Sequence, residues 1–480
     1  MTDEGKAGRG LERRWRVLIV VSAAVFMASL DLFIVNIAFP DIERSIGGTS
    51  LGSLSWFLNA YAMVFAALLV PAGRTADRLG RKRAFVAGLV LFTSASALCA
   101  AAPSVELLVA ARVLQALGAA ALFPTSPALL LPEFAPAQRR TAVSIWAAAG
   151  GVAAAAGPPI GGLLVQAGWQ LVFLVNVPIG ITLLVFALRV LRETREPAGT
   201  PAPDLGGAAL LTAAIGSLAF AIVKSADWGW GDGRTLGLLA GAALLLGAFW
   251  RRSNTHPAPI VEPRLLEVRS YALANLGALL FFMAFGAMLL SSVLFLTGVW
   301  HESVLRAGLQ IAPGPAMAAL FAVPAGLLAA RVGERVTGAL GALLFAAGGA
   351  WWISKIGPTP AYAADFLPGM AIGGAGVGLV IPSLTSAATS SLPPERFATG
   401  SAVLSMSRQI GVALGEAVLV SLVGTPAPGQ ALNSFQDGYT FMTVVALAAA
   451  VAMAAIGRLD GAPVPAAAAA PTGILAGESA

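Results

Sequence analysis

The most informative stretch for the fold is an eleven-residue segment between two apolar stretches: Gly73-Arg74-Thr75-Ala76-Asp77-Arg78-Leu79-Gly80-Arg81-Lys82-Arg83. A related segment begins at Val323-Pro324-Ala325-Gly326, in the second half of the chain. Both copies keep two glycines separated by six residues, with an arginine shortly before the second glycine. A basic loop between apolar segments that recurs half a chain later predicts a membrane protein built from two repeats.

Composition supports a membrane protein independently of the motif. Hydrophobic residues make up 57% of the 480 positions and charged residues only 11%, against roughly 25% charged in soluble proteins. The single Cys99 excludes an internal disulfide, and the two histidines are too few for a Cys/His metal site. The chain has no G-x-x-x-x-G-K-[ST] phosphate-binding loop, so direct use of ATP is not expected. We expect no cofactor and no metal.

Fourteen apolar segments of about 20 residues are long enough to cross a bilayer as helices. They cover residues 17–39, 51–73, 83–102, 105–127, 139–162, 168–190, 205–225, 234–250, 271–298, 305–329, 336–354, 363–386, 397–423 and 438–457. Most of the 30 Lys and Arg residues lie in loops on the N-terminal side. The loops of the opposite side carry only Arg44, Lys224, Arg234, Arg306 and Lys355. The positive-inside rule therefore predicts cytoplasmic termini, with the basic residues setting topology instead of binding nucleic acid.

Sequence echoes between the two halves predict the domain boundaries. The segment from Gly118 to Pro124 resembles the one from Gly376 to Pro382, and Ala142-Val143 resembles Ala402-Val403. Spans 1–6 and 9–14 should therefore form two six-helix bundles. The predicted division is a cytoplasmic N-terminal segment (1–16), an N-terminal bundle (17–190), a cytoplasmic linker (191–204), an inserted hairpin (205–250), a second cytoplasmic linker (251–270), a C-terminal bundle (271–457) and a disordered cytoplasmic tail (458–480).

The motifs resemble those of a known transporter family. Residues 73–83 are similar to the loop signature of the major facilitator superfamily, G-x-x-x-D-R-x-G-R-[RK]. Residues 30–40 resemble the first-span signature of its fourteen-span drug:proton antiporter branch, L-D-x-T-I-V-N-V-A-L-P, with Phe33 in place of Thr. The resemblance extends to about residue 457. It implies an all-α membrane protein with the major facilitator fold and 14 transmembrane helices arranged as 6+2+6.

Asp31, Arg112 and Glu416 are the residues that we expect to couple transport to protons. An ionisable group inside an apolar helix costs about 2.5–3.5 kcal/mol on insertion scales, so it usually serves function. Arg112 with Gln115 resembles the family's R-x-x-Q-G motif in span 4, with Ala116 replacing Gly. The helical rise of about 1.5 Å per residue places Arg112 at a depth similar to that of Asp31. We expect Arg112 to tune Asp31; the alternative is a carboxylate held permanently against Arg112.

Glu416 departs from the family pattern, which usually has an apolar residue near this position. A second buried carboxylate would suit a cationic or hydrogen-bond-donating substrate. The alternatives are an exposed Glu416 or one paired with Arg408, although two helical turns separate them. The side chains predicted to line a substrate cavity are Asn36, Trp56, Asn59, Tyr61 and Gln115. Trp56 could equally anchor the protein at the membrane interface.

Two glycine-containing motifs are expected to control conformation. The loop is interpreted as a latch that holds the cytoplasmic side shut, formed by Gly73, Asp77, Arg78, Gly80 and Arg81. In this interpretation, the charge of Asp77 meets the positive end of the span 3 dipole. Span 5 resembles the antiporter motif G-P-x-x-G-G, which corresponds here to Gly157, Pro158, Gly161 and Gly162. Plain helix packing is the alternative for this motif.

Together, the resemblance and the buried charges favour a proton-coupled antiporter, not an enzyme. It would export hydrophobic, cationic drugs or toxic compounds across the bacterial plasma membrane, as a multi-pass monomer. Its partners would be a small-molecule substrate, protons and the lipid bilayer, with no nucleic acid. One alternative is a dedicated exporter of a single metabolite, antibiotic or lipid-like molecule. An alternative of another class is a membrane sensor or scaffold that has lost transport.

Overall fold

A computed structural model describes residues 12–46, 51–195, 202–390, 392, 396–424 and 430–456. In these ranges the chain contains helices and no strand. Fourteen helices in the described ranges are long and apolar enough to cross a membrane. They are α1 (Arg13–Ile46), α2 (Leu51–Leu79), α3 (Arg81–Ala100), α4 (Val105–Glu133), α5 (Thr141–Val165), α6 (Leu171–Val190), α7 (Leu205–Trp228), α8 (Gly233–Thr255), α9 (Arg269–Gly298), α10 (Val304–Val332), α11 (Glu334–Lys355), α12 (Tyr362–Ala388), α13 (Gly400–Val423) and α14 (Ala431–Ala454).

The fourteen helices confirm the predicted fold class, but several ends differ from the prediction. Helix α1 begins at Arg13 and continues through Pro40 to Ile46, and α8 continues to Thr255. Hydropathy marks only the apolar length of a helix, whereas polar end turns extend beyond it into the interface. Asp31 therefore lies about 22 Å from the end of α1 at ~1.5 Å per residue. The predicted tail, most of the N-terminal segment and residues 196–201 lie outside the described ranges.

The same packing pattern occurs in α1–α6 and in α9–α14. In the first set, α1 packs on α5, α2 on α4 and α3 on α4; in the second, α9 packs on α13, α10 on α12 and α11 on α12. Each pair is thus repeated eight helices later, as a chain with two equivalent halves requires. Helices α7 and α8 pack on each other, and α7 also contacts α2 and α13. The 6+2+6 division itself stays a prediction that this pattern supports.

Four helix pairs join these two sets of helices, which we call the two halves: α2 with α13, α5 with α10, α1 with α9 and α1 with α10. We call the side on which α1 begins and α14 ends the terminal side, and the other the opposite side. On the terminal side, Arg252 Nε donates to Asp204 Oδ1 (2.5 Å), joining the ends of α7 and α8. Nearby, Glu262 forms ion pairs with Arg74 of α2 (3.8 Å) and with Arg396, just before α13.

Candidate functional site

Asp31 and Arg112 form a buried ion pair between α1 and α4. Arg112 Nη1 donates to Asp31 Oδ2 at 2.5 Å. The Asp31 side chain is 0% exposed and the Arg112 side chain is 1% exposed. Arg112 Nε also donates to the carbonyl oxygen of Phe57 in α2 (3.2 Å), and its guanidinium lies 4.0 Å from the ring centroid of Tyr61. The predicted pairing is therefore present in this structure. Both charges are compensated, as buried charges must be.

Three polar side chains complete the bonding of this pair. Gln115 Nε2 and Asn176 Nδ2 each donate to Asp31 Oδ1 at 2.8 Å. Gln115 Nε2 also donates to Ser96 Oγ (2.8 Å), and its oxygen accepts from Arg112 Nη1 (2.6 Å). Gln115, predicted to line a cavity, is instead fully buried in this network. The sequence analysis missed Asn176 and Ser96. Asn176 could have been selected, because a polar amide inside an apolar span is an unusual feature of the sequence.

Glu416 lies at the contact between the two halves. Its side chain is 2% exposed and forms no ion pair with a described residue, so neither sequence alternative, exposure or pairing with Arg408, applies. With its amide nitrogen turned toward α13, Asn59 of α2 donates to Glu416 Oε2 (3.3 Å) and to the carbonyl oxygen of Ala413 (3.1 Å). When ionised, Glu416 therefore has no compensating cation, which is costly inside a membrane.

Helix α2 connects the two carboxyl sites. Phe57 and Tyr61 contact Arg112, while Asn59, between them in sequence, faces Glu416. Any shift of α2 against α13 therefore changes the surroundings of both acidic groups. This connection depends on helix arrangement, which sequence spacing does not contain.

The other predicted cavity residues lie in different surroundings. Trp56 is half-buried and faces α7, with its ring centroid 5.6 Å from that of Phe220 in that helix. Asn36 is buried and donates to the carbonyl oxygen of Leu32, one turn earlier in α1. Tyr61 is fully buried, with its hydroxyl oxygen unpartnered. Asn59, in contrast, faces Glu416 in the other half of the molecule.

The basic loop is fastened by an acidic residue that the sequence analysis did not select. Asp77 accepts from Arg81 Nε (2.8 Å), but the amides that begin α3 bind Glu193: those of Lys82 (3.0 Å) and Arg83 (3.1 Å). Glu193 follows α6 and is 110 residues from Arg83 in sequence, so the sequence analysis did not select it as a carboxylate at this helix dipole. The interaction of Asp77 with the dipole stays a prediction.

The two loop glycines have distinct roles. Gly80 has a φ of +117°, a backbone conformation that side chains disfavour. A Cβ on Gly73 would lie 3.2 Å from Cβ of Pro124, so this glycine allows α2 and α4 to approach. Arg78 is exposed at the end of α2. The predicted latch residues thus share one corner of the terminal side, while their role as a latch stays a prediction.

The antiporter motif closes helix contacts toward the opposite side. A Cβ on Gly157 would lie 2.5 Å from Phe33 Cβ of α1, and one on Gly161 would lie 3.2 Å from the Ile34 carbonyl oxygen. A Cβ on Gly162 would lie 2.8 Å from the Cα of Leu305 in α10, across the boundary between the halves. Pro158 belongs to the same contact, because its carbonyl oxygen faces Gly308 of α10. Packing thus explains the motif, and part of it joins the halves.

Comparison with known proteins identifies the family. A model of the Major Facilitator Superfamily matches residues 21–416. The chain belongs to the major facilitator superfamily. No group of three or more His, Cys, Asp or Glu residues that could hold a metal occurs in the described ranges.

Its relatives include named resistance and export proteins. The chain is 33% identical to the tetracenomycin C resistance and export protein of Streptomyces glaucescens, over 86% of this chain and 76% of that protein. It is 35% identical to the multidrug resistance protein Stp of Mycobacterium tuberculosis H37Rv, over 85% and 75% of the two chains. It is 34% identical to the cephamycin export protein CmcT of Amycolatopsis lactamdurans, over 90% of each.

Solved structures share the fold. An inward-facing, unoccupied bacterial homolog of the human lysosomal transporter Spinster matches with a TM-score of 0.65 and 17% identity, over 95% of this chain and 100% of that one. The peptide transporter POT in complex with sulfate matches with a TM-score of 0.66 and 17% identity, over 92% and 95%. At these identities the likeness shows the fold alone. The protein is therefore a multi-pass membrane protein with the major facilitator fold.

Proposed function

We propose that this protein exports drug-like or antibiotic compounds in exchange for protons. The observation that carries this proposal is a pair of buried carboxyl sites, at Asp31 and Glu416, joined through α2 at the boundary of two repeated helix sets. Its named relatives confer resistance or carry out export. In such a fold, transport proceeds by rocking of one half against the other around a central site.

The two carboxyl groups have complementary roles in this mechanism. Asp31 is held by Arg112, Gln115 and Asn176, so a motion that opens this network changes the surroundings of its carboxylate. Glu416 has the amide of Asn59 as its partner and forms no ion pair with a described residue. Arg112, the partner of Asp31, contacts α2, and Asn59, the partner of Glu416, belongs to α2. A rocking motion that moves α2 therefore changes the surroundings of both carboxyl groups. A proton entering from one side and leaving to the other would be coupled to this motion.

The proposed orientation places the terminal side in the cytoplasm, as the distribution of basic residues predicts. The α5–α10 contact at Gly162 then lies on the external side. The protein is proposed to work as a monomer in the plasma membrane and to catalyse no chemical reaction. A dedicated exporter of one compound remains the second candidate, since two of the relatives above are named for single compounds.

Efflux in cells tests this function. We expect cells that contain the protein to export ethidium or another polyaromatic compound, and export to stop when a protonophore is added. The variant Asp31→Asn should lose proton-driven export, because the amide cannot exchange a proton. Export that continues with the protonophore present, or at the wild-type rate in a folded Asp31→Asn variant, would reject proton coupling at this site. Export of one compound only would select the dedicated exporter.

A further inference from the structure

Arg408 is a charged side chain near the middle of a membrane helix. It lies about 16 Å from the start of its helix at Phe397 and about 22 Å from the end at Val423, at ~1.5 Å per residue. Among the described residues it forms no ion pair and no hydrogen bond. Ionisable residues at such depth are rare and usually face a partner or a water-filled path. Arg408 therefore lies as deep in its helix as functional ionisable residues do, but no described protein group forms an ion pair with it.

The surroundings of Arg408 are aromatic and polar. Its guanidinium lies 4.4 Å from the ring centroid of Phe282 in α9, and that ring contacts Phe285 edge-on at 5.6 Å. One helical face of α13 carries Arg408 together with Ser401 and Ser405, and all three are half-buried. Farther along α13, from Ala413 to Ala417, every residue is buried. On the face that carries Arg408, half-buried positions therefore continue one turn further to Val412, and the next residues on this face, Gly415 and Glu416, are buried.

Arg408 keeps its positive charge, because its guanidinium does not lose a proton at physiological pH. Arg112 is neutralised by Asp31, and Glu416 becomes neutral whenever it is protonated. An arginine, in contrast, stays protonated in proteins at physiological pH. Glu416 is eight residues away on the same helix, about 12 Å along its axis, and is turned toward Asn59. No described protein group therefore supplies an anion that compensates Arg408.

We propose that Arg408 binds a carboxylate carried by an aromatic substrate, with Phe282 and Phe285 contacting the ring system of that substrate. A guanidinium binds a carboxylate through two parallel hydrogen bonds, and aromatic rings pack edge-on or offset at such distances. This inference rests on the proposed export function and assigns its substrate class. It differs from the sequence-based expectation in the sign of the charge on the substrate.

The proposal has an electrical consequence. Export of a monovalent anion in exchange for one inward proton moves two charges across the membrane in the same electrical sense. Export of a monovalent cation for one proton moves no net charge. An interior-negative membrane potential should therefore drive export of the anionic substrate even without a pH difference.

The test uses reconstituted full-length protein and pairs of probes that differ only in charge. Each pair is a polyaromatic carboxylic acid with no other ionisable group and its neutral methyl ester, with anthracene-9-carboxylic acid and its methyl ester as the first pair and ethidium as a cationic reference. The variants are Arg408→Gln, Arg408→Lys and, as a matched control, Arg234→Gln, which removes an exposed arginine from the first turn of α8. Proton-driven uptake into vesicles is measured, and binding is followed by thermal stabilisation.

We expect the wild type to prefer acids over their esters and Arg408→Gln to raise KM for acids about tenfold or more, the effect of losing a charged hydrogen-bond pair. Arg408→Lys should recover part of this preference, and transport of esters should not change. Acid transport that is equal in wild type and Arg408→Gln would overturn the proposal. If the esters and ethidium are transported but no acid is, the proposal about Arg408 fails while proton-coupled export still stands. If no probe moves with protons, the proposed function fails as well.

Discussion

At the scale of single residues, the buried network around Asp31 explains why a charge is tolerated deep in α1. Its two carboxylate oxygens accept from Arg112, Gln115 and Asn176, so no acceptor position faces lipid. The sequence could predict Asp31 and Arg112 because ionisable residues are conspicuous in apolar helices. It could not predict Ser96 and Asn176, because small polar residues are common in such helices and only helix packing reveals which of them meet.

Removing one partner of the Asp31–Arg112 pair should destabilise the protein. Arg112→Gln leaves a buried carboxylate without its cation, which costs about 3–5 kcal/mol when a buried pair is broken. We therefore expect a clear fall in the melting temperature of the purified protein. The double variant Asp31→Asn with Arg112→Gln should recover most of the loss, because no uncompensated charge remains. Equal melting of the single and double variants would show that the pair contributes little.

At the scale of helices, small residues determine where the two halves touch. Gly162 of α5 lies against the backbone of Leu305 in α10, whereas Gly151, three turns earlier, has open space around its Cβ position. Sequence motifs identified the glycines of α5, since their spacing is distinctive. They could not show that Gly157 and Gly161 pack within one half while Gly162 packs across the boundary.

Adding one methyl group at Gly162 should therefore oppose closure of the opposite side. A Cβ there would lie 2.8 Å from the Cα of Leu305, so α5 and α10 must separate. We expect spin labels at Gln166→Cys and Ser303→Cys, in a Cys99→Ser background, to show longer distances in Gly162→Ala. The control Gly151→Ala should match the parent protein. Identical distance distributions in both variants would contradict this assignment.

Helix α3 should depend on the carboxylate of Glu193. Because Glu193 accepts from the amides of Lys82 and Arg83, Glu193→Ala removes a helix cap, at a cost of about 1 kcal/mol. Thermal unfolding of the purified variant should show this loss. Glu267→Ala, at an exposed position before α9, is the matched control. A loss of the same size in the control would mean that capping is not the cause.

At the scale of the whole molecule, the number and order of the helices were predictable because every span must be apolar over about 20 residues. The short repeats also predicted which helices correspond between the halves, and the packing pairs follow this pattern. The helix ends were less predictable, as α1 and α8 show, because terminal turns are polar and resemble loops in sequence.

The orientation of the molecule can be tested with single cysteines in the Cys99→Ser background. A cysteine at Gly231, between α7 and α8, should react with a membrane-impermeant maleimide added to intact cells. A cysteine at Asn254, at the terminal-side end of α8, should react only after the cells are opened. The reverse pattern would invert the proposed orientation and place the basic loops outside.

The most direct test of the account measures protons and substrate together. Proteoliposomes with an internal pH dye and an outward gradient of a transported probe, but no initial pH gradient, should show proton movement opposite to the probe. In the double variant Asp31→Asn with Glu416→Gln, we expect probe exchange to continue while the proton movement disappears, since neither site can release a proton. Proton movement at the wild-type rate in this variant would contradict the claim that the two buried carboxyl groups couple protons to export.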